Sequence, residues 1–545
     1  MTATAAPYRS ASDTGRDGFA QILRAEWTKF RTINGWLIAV VAAAALAALL
    51  PVAIAGTASN PVESCHAGTC QVEGSVVATG PDGEAVVDQF YFVHQAMAGN
   101  GSITALVSAP YGVAPKPRLS PFFSGVPATQ PWAKAGLMIK ESTKAGSAYA
   151  AVMLTGGHGV RMQYDYTHDI AGSGGASTRL WLRLTRQGNM ITGYESADGT
   201  HWAVIGTATL PRLTSAVQAG LFVASPDFHE VQGGFGGGDN SFGGPTWAAA
   251  GFTHVTATTG ATEASWTGTA IHPAATAPQN LVIPLGPGQS TKCKLTGSCP
   301  GKQGFSETGT SFRVTGSGDI APFTPIVDPL EVCLYGVLIG LIVLIALGAL
   351  YITSEYRKGM IRTTLAASPR RVRVLAAKAI VIGSVSFAAG LIGTGIAFIV
   401  DERKLNKAGW VPPVWHILSV TSGIGLQIVI GTAAIAALTG VLALAAGVIT
   451  RRGAGAVAAV IGLVIVPLVL GIVLPPAPAK LVLSVTPAAA FSLQSVYPRY
   501  SQVSNVCEPY HGCFPLAPLT GFAVLCLWVA AALAVAGWQL RRRDA

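Results

Sequence analysis

"SEYRKGMIRTTLAASPRRVRVLAAK", residues 354–378, holds seven basic residues and one acidic one between two runs that carry no charge. The runs on either side, 333–352 and 379–400, are each about 20 apolar residues long, the length that crosses a hydrocarbon core of about 30 Å. Four more runs of this kind follow from the same test: 36–56, 417–450, 455–474 and 518–540. None of the six contains Asp, Glu, Lys or Arg. Over 545 residues the chain is 50% hydrophobic and 11% charged, against about 25% charged in soluble domains. These features predict a multi-pass protein of the lipid bilayer. The run at 36–56 reads as a retained span (TM1), because a long polar tail precedes it and the Pro51 region is a poor cleavage context. The run at 417–450, at about 50 Å as a helix, exceeds the bilayer core, so Ile417–Leu426 is expected to lie at the interface or project outward.

Lys and Arg near the span ends set orientation. Arg9, Arg16, Arg24, Lys29 and Arg31 precede the first span. The opening stretch follows the second, Arg451 and Arg452 follow the fourth, and Arg541, Arg542 and Arg543 follow the sixth. With six spans these all fall on one side. Both termini (1–35 and 541–545) and the loop 353–378 are therefore expected in the cytoplasm, with 57–328, 401–416 and 475–517 outside and the protein in the plasma membrane. The net charge of +10 is then a topology signal. Nucleic-acid binding is set aside, since the basic residues sort by membrane side and lack interleaved aromatics. Cysteines agree with this sidedness: Cys65/Cys70, Cys293/Cys299 and Cys507/Cys513 form three close pairs in outside segments, where disulfides persist. Six cysteines allow fifteen connectivities, and local pairing is the simplest. His66 and His511 lie among the pairs, but zinc needs four convergent ligands, so disulfides are preferred and no metal site is assigned.

Residues 57–328 lose the long apolar runs and gain Gly, Thr, Ser and aromatics. Strand-like stretches recur between turn signals, among them "QFYFVHQAM", "GSITALVSA", "KAGLMIKES", "SAYAAVMLT", "GVRMQYDY" and "VQAGLFVAS". This pattern predicts an antiparallel all-β sandwich. "SADGTHW" predicts a hairpin turning at Asp198-Gly199. Through "WAKAGLMIKESTKAGSAYAAVML" and "WLRLTRQGNMITGYESADGTHW", the segment 72–262 resembles the concanavalin A-like jelly-roll domains of the lectin and laminin-G type. The resemblance implies a fold that often binds sugars, with Trp132, Trp181 and Trp202 as candidate stacking platforms, although packing in the sandwich core explains them equally. Glycosidase chemistry needs two facing carboxylates, and the pair Glu195 and Asp198 is better explained by the turn. Residues 263–328, rich in Gly, Pro, Thr and Ser, are expected to form a tether back to the membrane, with a few strands such as "SFRVTG".

The opening stretch is helix-compatible up to Ser368-Pro369, which predicts a short cytoplasmic helix over about 355–367 and a second helix running into span three. From Glu355 to Arg371 it resembles the first cytoplasmic loop of the membrane subunits of ABC-2 type ATP-driven transporters, in the pattern Glu-Tyr-Arg-x-Gly-x-Ile-Arg-x-Thr-Leu-x-Ala-x-Pro-Arg-Arg. "LRAEWTKFRT" (23–32) before span one, "VTPAAAF" (485–491) in the last outside loop and the terminal "RRRDA" fit the same family. The resemblance implies a permease of six helices, in two copies or paired with a second permease, driven by separate ATPase chains that bind ATP and Mg. It implies contacts to the ATPase through Glu355, Tyr356, Arg357, Gly359, Arg362, Thr363, Leu365, Pro369, Arg370 and Arg371. Glu26, Trp27 and Lys29 would then place an amphipathic helix at the interface. The chain is not itself an enzyme on this reading. It has no Gly-x-x-x-x-Gly-Lys-Ser/Thr loop, and "GPGQSTK" at 286–292 has the wrong spacing. Its spans carry no ionisable groups of the kind an ion-coupled carrier uses. The cargo would be amphiphilic or a glycan recognised by the outer domain. The rival reading is a membrane-anchored surface glycan-binding or sensor protein, for which one span would suffice.

Overall fold

The computed structural model describes residues 18–56, 62–66, 69–72, 75–115, 125–127, 129–173, 178–232, 240–258, 265–272, 303–324, 330, 334, 336–360, 370–410, 414–415, 419–496, 500–503 and 514–542. The helical part consists of α1 (Phe19–Thr32), α2 (Asn34–Ala55), α3 (Val337–Arg357), α4 (Arg371–Lys407), α5 (Gly423–Thr450), α6 (Gly453–Val464), α7 (Val466–Val473), α8 (Pro476–Val485), a 3-10 segment (Pro487–Gln494) and α9 (Pro518–Arg542). Among the described residues, six apolar helical stretches are long enough to cross a membrane, α6 and α7 counting as one. They correspond to the six runs read from the sequence.

Their ends differ from the sequence reading for local reasons. Glu355–Arg357, expected in a separate short helix, form the last turn of α3. That helix stops at Gly359, whose φ of +70° suits a residue without a Cβ. After Pro369 the chain starts α4, whose 37 residues make a rod of about 55 Å, longer than a bilayer core of about 30 Å. α5 begins at Gly423, where the Ser422 hydroxyl accepts a hydrogen bond from the Gly425 amide (3.0 Å). Of the 417–426 overhang, residues 419–422 therefore stand outside the helix and 423–426 form its first turn. Pro467 sits just past the break at Ile465 that divides α6 from α7.

Helix crossings are made close by small residues, as expected where apolar burial gives little drive. A Cβ on Gly348 of α3 would stand 2.3 Å from the Gly440 carbonyl oxygen of α5. Overpacking of this kind costs about 1–3 kcal/mol, so Gly348→Ala should lower the melting temperature of the detergent-solubilised protein. An unchanged melt would show that α3 and α5 separate freely at this crossing.

The segment after α7 is not a plain outside loop. The indole of Trp528 donates to the Val485 carbonyl (2.9 Å), and Trp528 lies ten residues into α9, or about 15 Å along it. α8 thus descends beside the bundle and Pro487–Gln494, buried at all eight positions, climbs back. Such non-helical backbone is tolerated at depth because protein surrounds it. Pro475, Pro476, Pro478 and Pro487 keep the segment from becoming a seventh span.

The β part is built from antiparallel sheets. One sheet runs in the order His168–Ala171, Val160–Tyr164, Tyr149–Thr155, Lys134–Lys140, Ala216–Ala224, Phe90–Ala98, Thr267–Ile271. The facing sheet runs Ala203–Thr209, Met190–Ser196, Arg179–Gln187, Gly101–Ser108, Trp247–Thr258, Ser311–Gly316, Gly304–Thr308, with Tyr111–Pro115 and Gly125–Pro127 attached at Trp247–Thr258. Leu137, Val152, Leu184, Ile191, Leu221 and Phe252 fill the space between them. A third sheet (Val62–His66, Thr69–Val72, Ser75–Thr79, Ala85–Asp88, Ile320–Pro322) covers the other face of the first, meeting Phe92, Met138, Tyr149 and Phe222 through Val86 and Ile320. It also packs on the helices, with Val77 and Ala85 clustered with Leu405, Trp410 and Trp415.

Two expectations change here. The region 263–328 is more than a tether, because Thr267–Ile271, Gly304–Thr308, Ser311–Gly316 and Ile320–Pro322 join all three sheets. Likewise the β region begins ahead of residue 72. The hairpin of Val62–His66 and Thr69–Val72 is closed by a Cys65–Cys70 disulfide. Cys293, Cys299, Cys507 and Cys513 lie outside the described residues.

Candidate functional site at the basic end of the helical bundle

Contacts among α1, α3, α4, α5 and α9 gather Lys29, Arg371, Lys378, Arg451 and Arg541 at one end. Arg371 of α4 donates to the Leu540 carbonyl of α9 (2.7 Å), and the Arg451 guanidinium stands 5.4 Å from the Tyr356 ring of α3. At the opposite end the Lys404 ammonium donates to the Val52 carbonyl (2.7 Å), beside the third β-sheet.

Inside the basic end is a closed charge network. Lys378 Nζ donates to Glu26 Oε2 (2.7 Å) and to Glu355 Oε1 (2.6 Å), and Lys29 also pairs with Glu355. The Tyr351 hydroxyl donates to Glu26 Oε2 (2.7 Å), and its ring faces the Lys378 ammonium at 5.0 Å. Phe30 and Trp36 close over Tyr351, each at 5.9 Å. Side-chain exposure is 1% for Lys378 and Glu355 and 6% for Glu26. Two carboxylates and two ammonium groups are thus neutralised against one another, which burial at this level demands. The network ties α1 to α3 and α4, the two helices that enter and leave the loop 358–370.

The structure divides the residues singled out from the sequence. Glu355, expected as an outward contact, is turned inward into the network. Its helical position explains this: Leu344, Gly348, Tyr351, Ile352 and Glu355 share one buried stripe of α3. Glu26 and Lys29 join it, while Trp27 is 46% exposed on the outer side of α1. Tyr356 is half-buried, Arg357, Gly359 and Arg370 are exposed, and Arg371 is half-buried. Arg362, Thr363, Leu365 and Pro369 lie outside the described residues. Lys378 and Tyr351 were not singled out, yet Lys378 continues the Val374, Leu375, Val381, Ile382, Val385 stripe of α4, a spacing visible in the sequence. Lys378 and Asp401 also correct the impression of wholly uncharged spans, because both are buried on α4. They stand 23 residues apart, about 35 Å, and so mark the two ends of a crossing rather than its middle.

Deeper in the bundle, α2, α3, α4, α5 and the 3-10 segment meet around a cavity of about 10 Å³, lined by Ala47, Gly340, Leu344, Gly390, Thr432 and Phe491 among others. That is room for about one water.

In the β part the three tryptophans separate. Trp132 is buried, stacked on His158 at 3.9 Å with Arg161 on its ring, which makes it a packing residue. Trp181 and Trp202 are half-buried. Trp181 stacks on His254 (5.5 Å), and the Arg183 guanidinium, two residues along the same strand, lies 3.9 Å from the Trp202 ring. Glu195 accepts hydrogen bonds from the amide (2.8 Å) and hydroxyl (3.1 Å) of Ser173. Asp198 holds its turn by accepting from the Thr200 and His201 amides (each 2.8 Å). The hydrogen bond from the His201 ring, and after it these amide bonds, keep the Asp198 carboxyl well below the usual range, and Asp198 in return raises His201. Among the described residues no group of His, Cys, Asp and Glu is placed to hold a metal ion.

No family model and no curated protein matches the chain. Among solved structures it is similar to a functionally unknown protein from Saccharomyces cerevisiae, over 37% of this chain and 94% of the other, at 16% identity and a TM-score of 0.21. It is also similar to SCP-B, a member of the Eqolisin family of peptidases, over 43% and 100%, at 12% identity and 0.21. A third similarity, to GH43 BlXynB from Bacillus licheniformis, covers 33% and 28% at 15% identity and 0.18. TM-scores this low carry no argument about fold or function.

Proposed function

We propose that the chain is the permease subunit of an ATP-binding-cassette transporter of the exporter type, with both termini and the basic end in the cytoplasm and the β part outside as a concanavalin A-like domain. The observation that carries the reading is the buried network of Glu26, Lys29, Tyr351, Glu355 and Lys378. A membrane protein with no phosphate loop needs energy from a partner, and a partner pushing on the loop 358–370 would move α3 and α4 at its two ends. Because Glu355 and Lys378 bind both helices to α1, that displacement reaches three elements as one unit. ATP binding to the partner would then bias the helices between two arrangements through its differential affinity for them. In this reading Arg357 and Arg370 touch the partner, while Glu355 positions the surface from within.

The Trp181, Arg183 and Trp202 cluster supports the accompanying proposal that the outer domain recognises a glycan or glycan-bearing cargo. Aromatic rings beside a guanidinium suit a sugar face and its hydroxyl groups.

The test is purification from native membranes in mild detergent. An ATPase with a phosphate loop should accompany the chain stoichiometrically, and Arg357→Glu with Arg370→Glu should release it while leaving the permease monodisperse. Absence of any nucleotide-binding protein, under conditions that preserve other membrane complexes, would remove the transporter reading.

A further inference from the structure

At the foot of α4 and α9, beside the network but separate from it, Arg370, Arg371, Val372, Arg373 and Arg541 line an open pocket of about 590 Å³. Among the described residues its positive charge is uncompensated. α4 begins with Arg370 as its cap residue, makes no side-chain cap hydrogen bond there and has no acidic residue in its first turn. A helix N-terminus carries about half a positive charge, so arginines at 370, 371 and 373 add repulsion where an anion would be favoured. The last turn of α9 brings Arg541 and Arg542 to the same place. Arg371 is committed to the Leu540 carbonyl, which fixes the two helix ends together and leaves the pocket open. Among the described residues no carboxylate pairs with Arg370, Arg373 or Arg541.

We propose that this pocket binds the phosphate headgroup of an anionic glycerophospholipid. Arg373 and Arg541 would supply the donors, together with the first backbone amides of α4. A lipid is favoured over a soluble anion by what lies next to the pocket. α9 leaves Leu527, Val535 and Trp538 exposed along its length, a flank suited to acyl chains. Trp538, 4.6 Å from the Arg542 guanidinium, sits where indoles mark the headgroup level. Basic pockets between helices on the cytoplasmic side take such headgroups. The inference rests on the membrane-spanning part of the reading above and requires no ATPase.

The experiment measures lipids retained by the purified full-length chain by native mass spectrometry, after titration with phosphatidylglycerol or phosphatidylcholine. The wild type should retain phosphatidylglycerol selectively. Each basic group near an anionic headgroup is worth about five-fold, so Arg373→Gln with Arg541→Gln should weaken retention about 25-fold. Arg373→Lys with Arg541→Lys should keep most of it, which separates loss of charge from misfolding. Equal retention of the two lipids, or undiminished phosphatidylglycerol binding by the glutamine variant, overturns the proposal. So does displacement of the lipid by inorganic phosphate at equal concentration, which would make the site one for a soluble anion. Loss of a copurifying protein with lipid retention unchanged would assign the pocket to that partner instead. Selective lipid retention without any copurifying ATPase supports the lipid site and counts against the transporter reading alone.

Discussion

Replacing Lys378 by Met will cost the helical part about 3–5 kcal/mol, the range found when one partner is removed from a buried ion pair. Among the described residues Lys378 alone links Glu26 and Glu355 through a shared ammonium group, and its side chain is 1% exposed. Without it, Glu26 keeps the Tyr351 hydroxyl and Glu355 keeps Lys29, but two buried carboxylates then share one cation. Glu355 has little reserve, since its Oε2 already has no hydrogen-bond partner. Met roughly matches the volume of the lost side chain, so the loss reports charge rather than a cavity. A drop in melting temperature of about 6 °C or more is expected for a unit of this size. Glu355→Gln in the Lys378→Met background should restore part of it, because the double variant removes opposite charges together. If Lys378→Met melts like the wild type, the network does not bind α1, α3 and α4, and the proposed relay fails with it.

The helical part was legible because each crossing needs about 20 apolar residues in a row, and no soluble element imitates that. The boundaries were less so. Glu355–Arg357 looked like the start of a loop because charge usually ends a span, whereas here the buried stripe of α3 runs one turn further and finds its counter-charges on α1 and α4. Those partners lie 326 and 23 residues away, and no local pattern announces such a meeting. The strands were legible from turn spacing, and the third sheet was not. "KAGLMIK" is buried at all seven positions, so it lacks the alternation of a strand with one wet face. A run buried on both sides was the available sign that something covers its second face. The strands that cover it are short, three to five residues each, and Ile320–Pro322 is cut from a region whose composition reads as linker. In the β part the sequence placed three tryptophans on equal terms, and only packing against His158 and Arg161 sets Trp132 apart from Trp181 and Trp202.

The lysines at the ends of that strand lead to the second large effect. Lys140→Met should destabilise the β part by about 3–5 kcal/mol, because Lys140 and Asp88 are 0% and 1% exposed and pair across the boundary between the first and third sheets (2.9 Å). The ammonium also donates to the Ser147 carbonyl and the Tyr166 hydroxyl, each at 2.9 Å. Burial, and after it the charge of Asp88, holds the Tyr166 phenol well above its usual range, so Tyr166 stays neutral and cannot replace the lost cation as a counter-charge. Asp88 would be left with the Gly146 amide on one oxygen and nothing on the other. The second buried pair, Lys134 with Asp319, should matter less, since Asp319 is 16% exposed and water can screen it. Because the third sheet lies between the sandwich and the helices, its release should appear as a new protease-sensitive site between residues 56 and 90. The helical melt should stay in place. Asp88→Asn with Lys140→Met should recover much of the loss. If Lys140→Met leaves both proteolysis and melting unchanged, the third sheet is held by its apolar face of Val86 and Ile320 alone, and the buried pair adds specificity without stability.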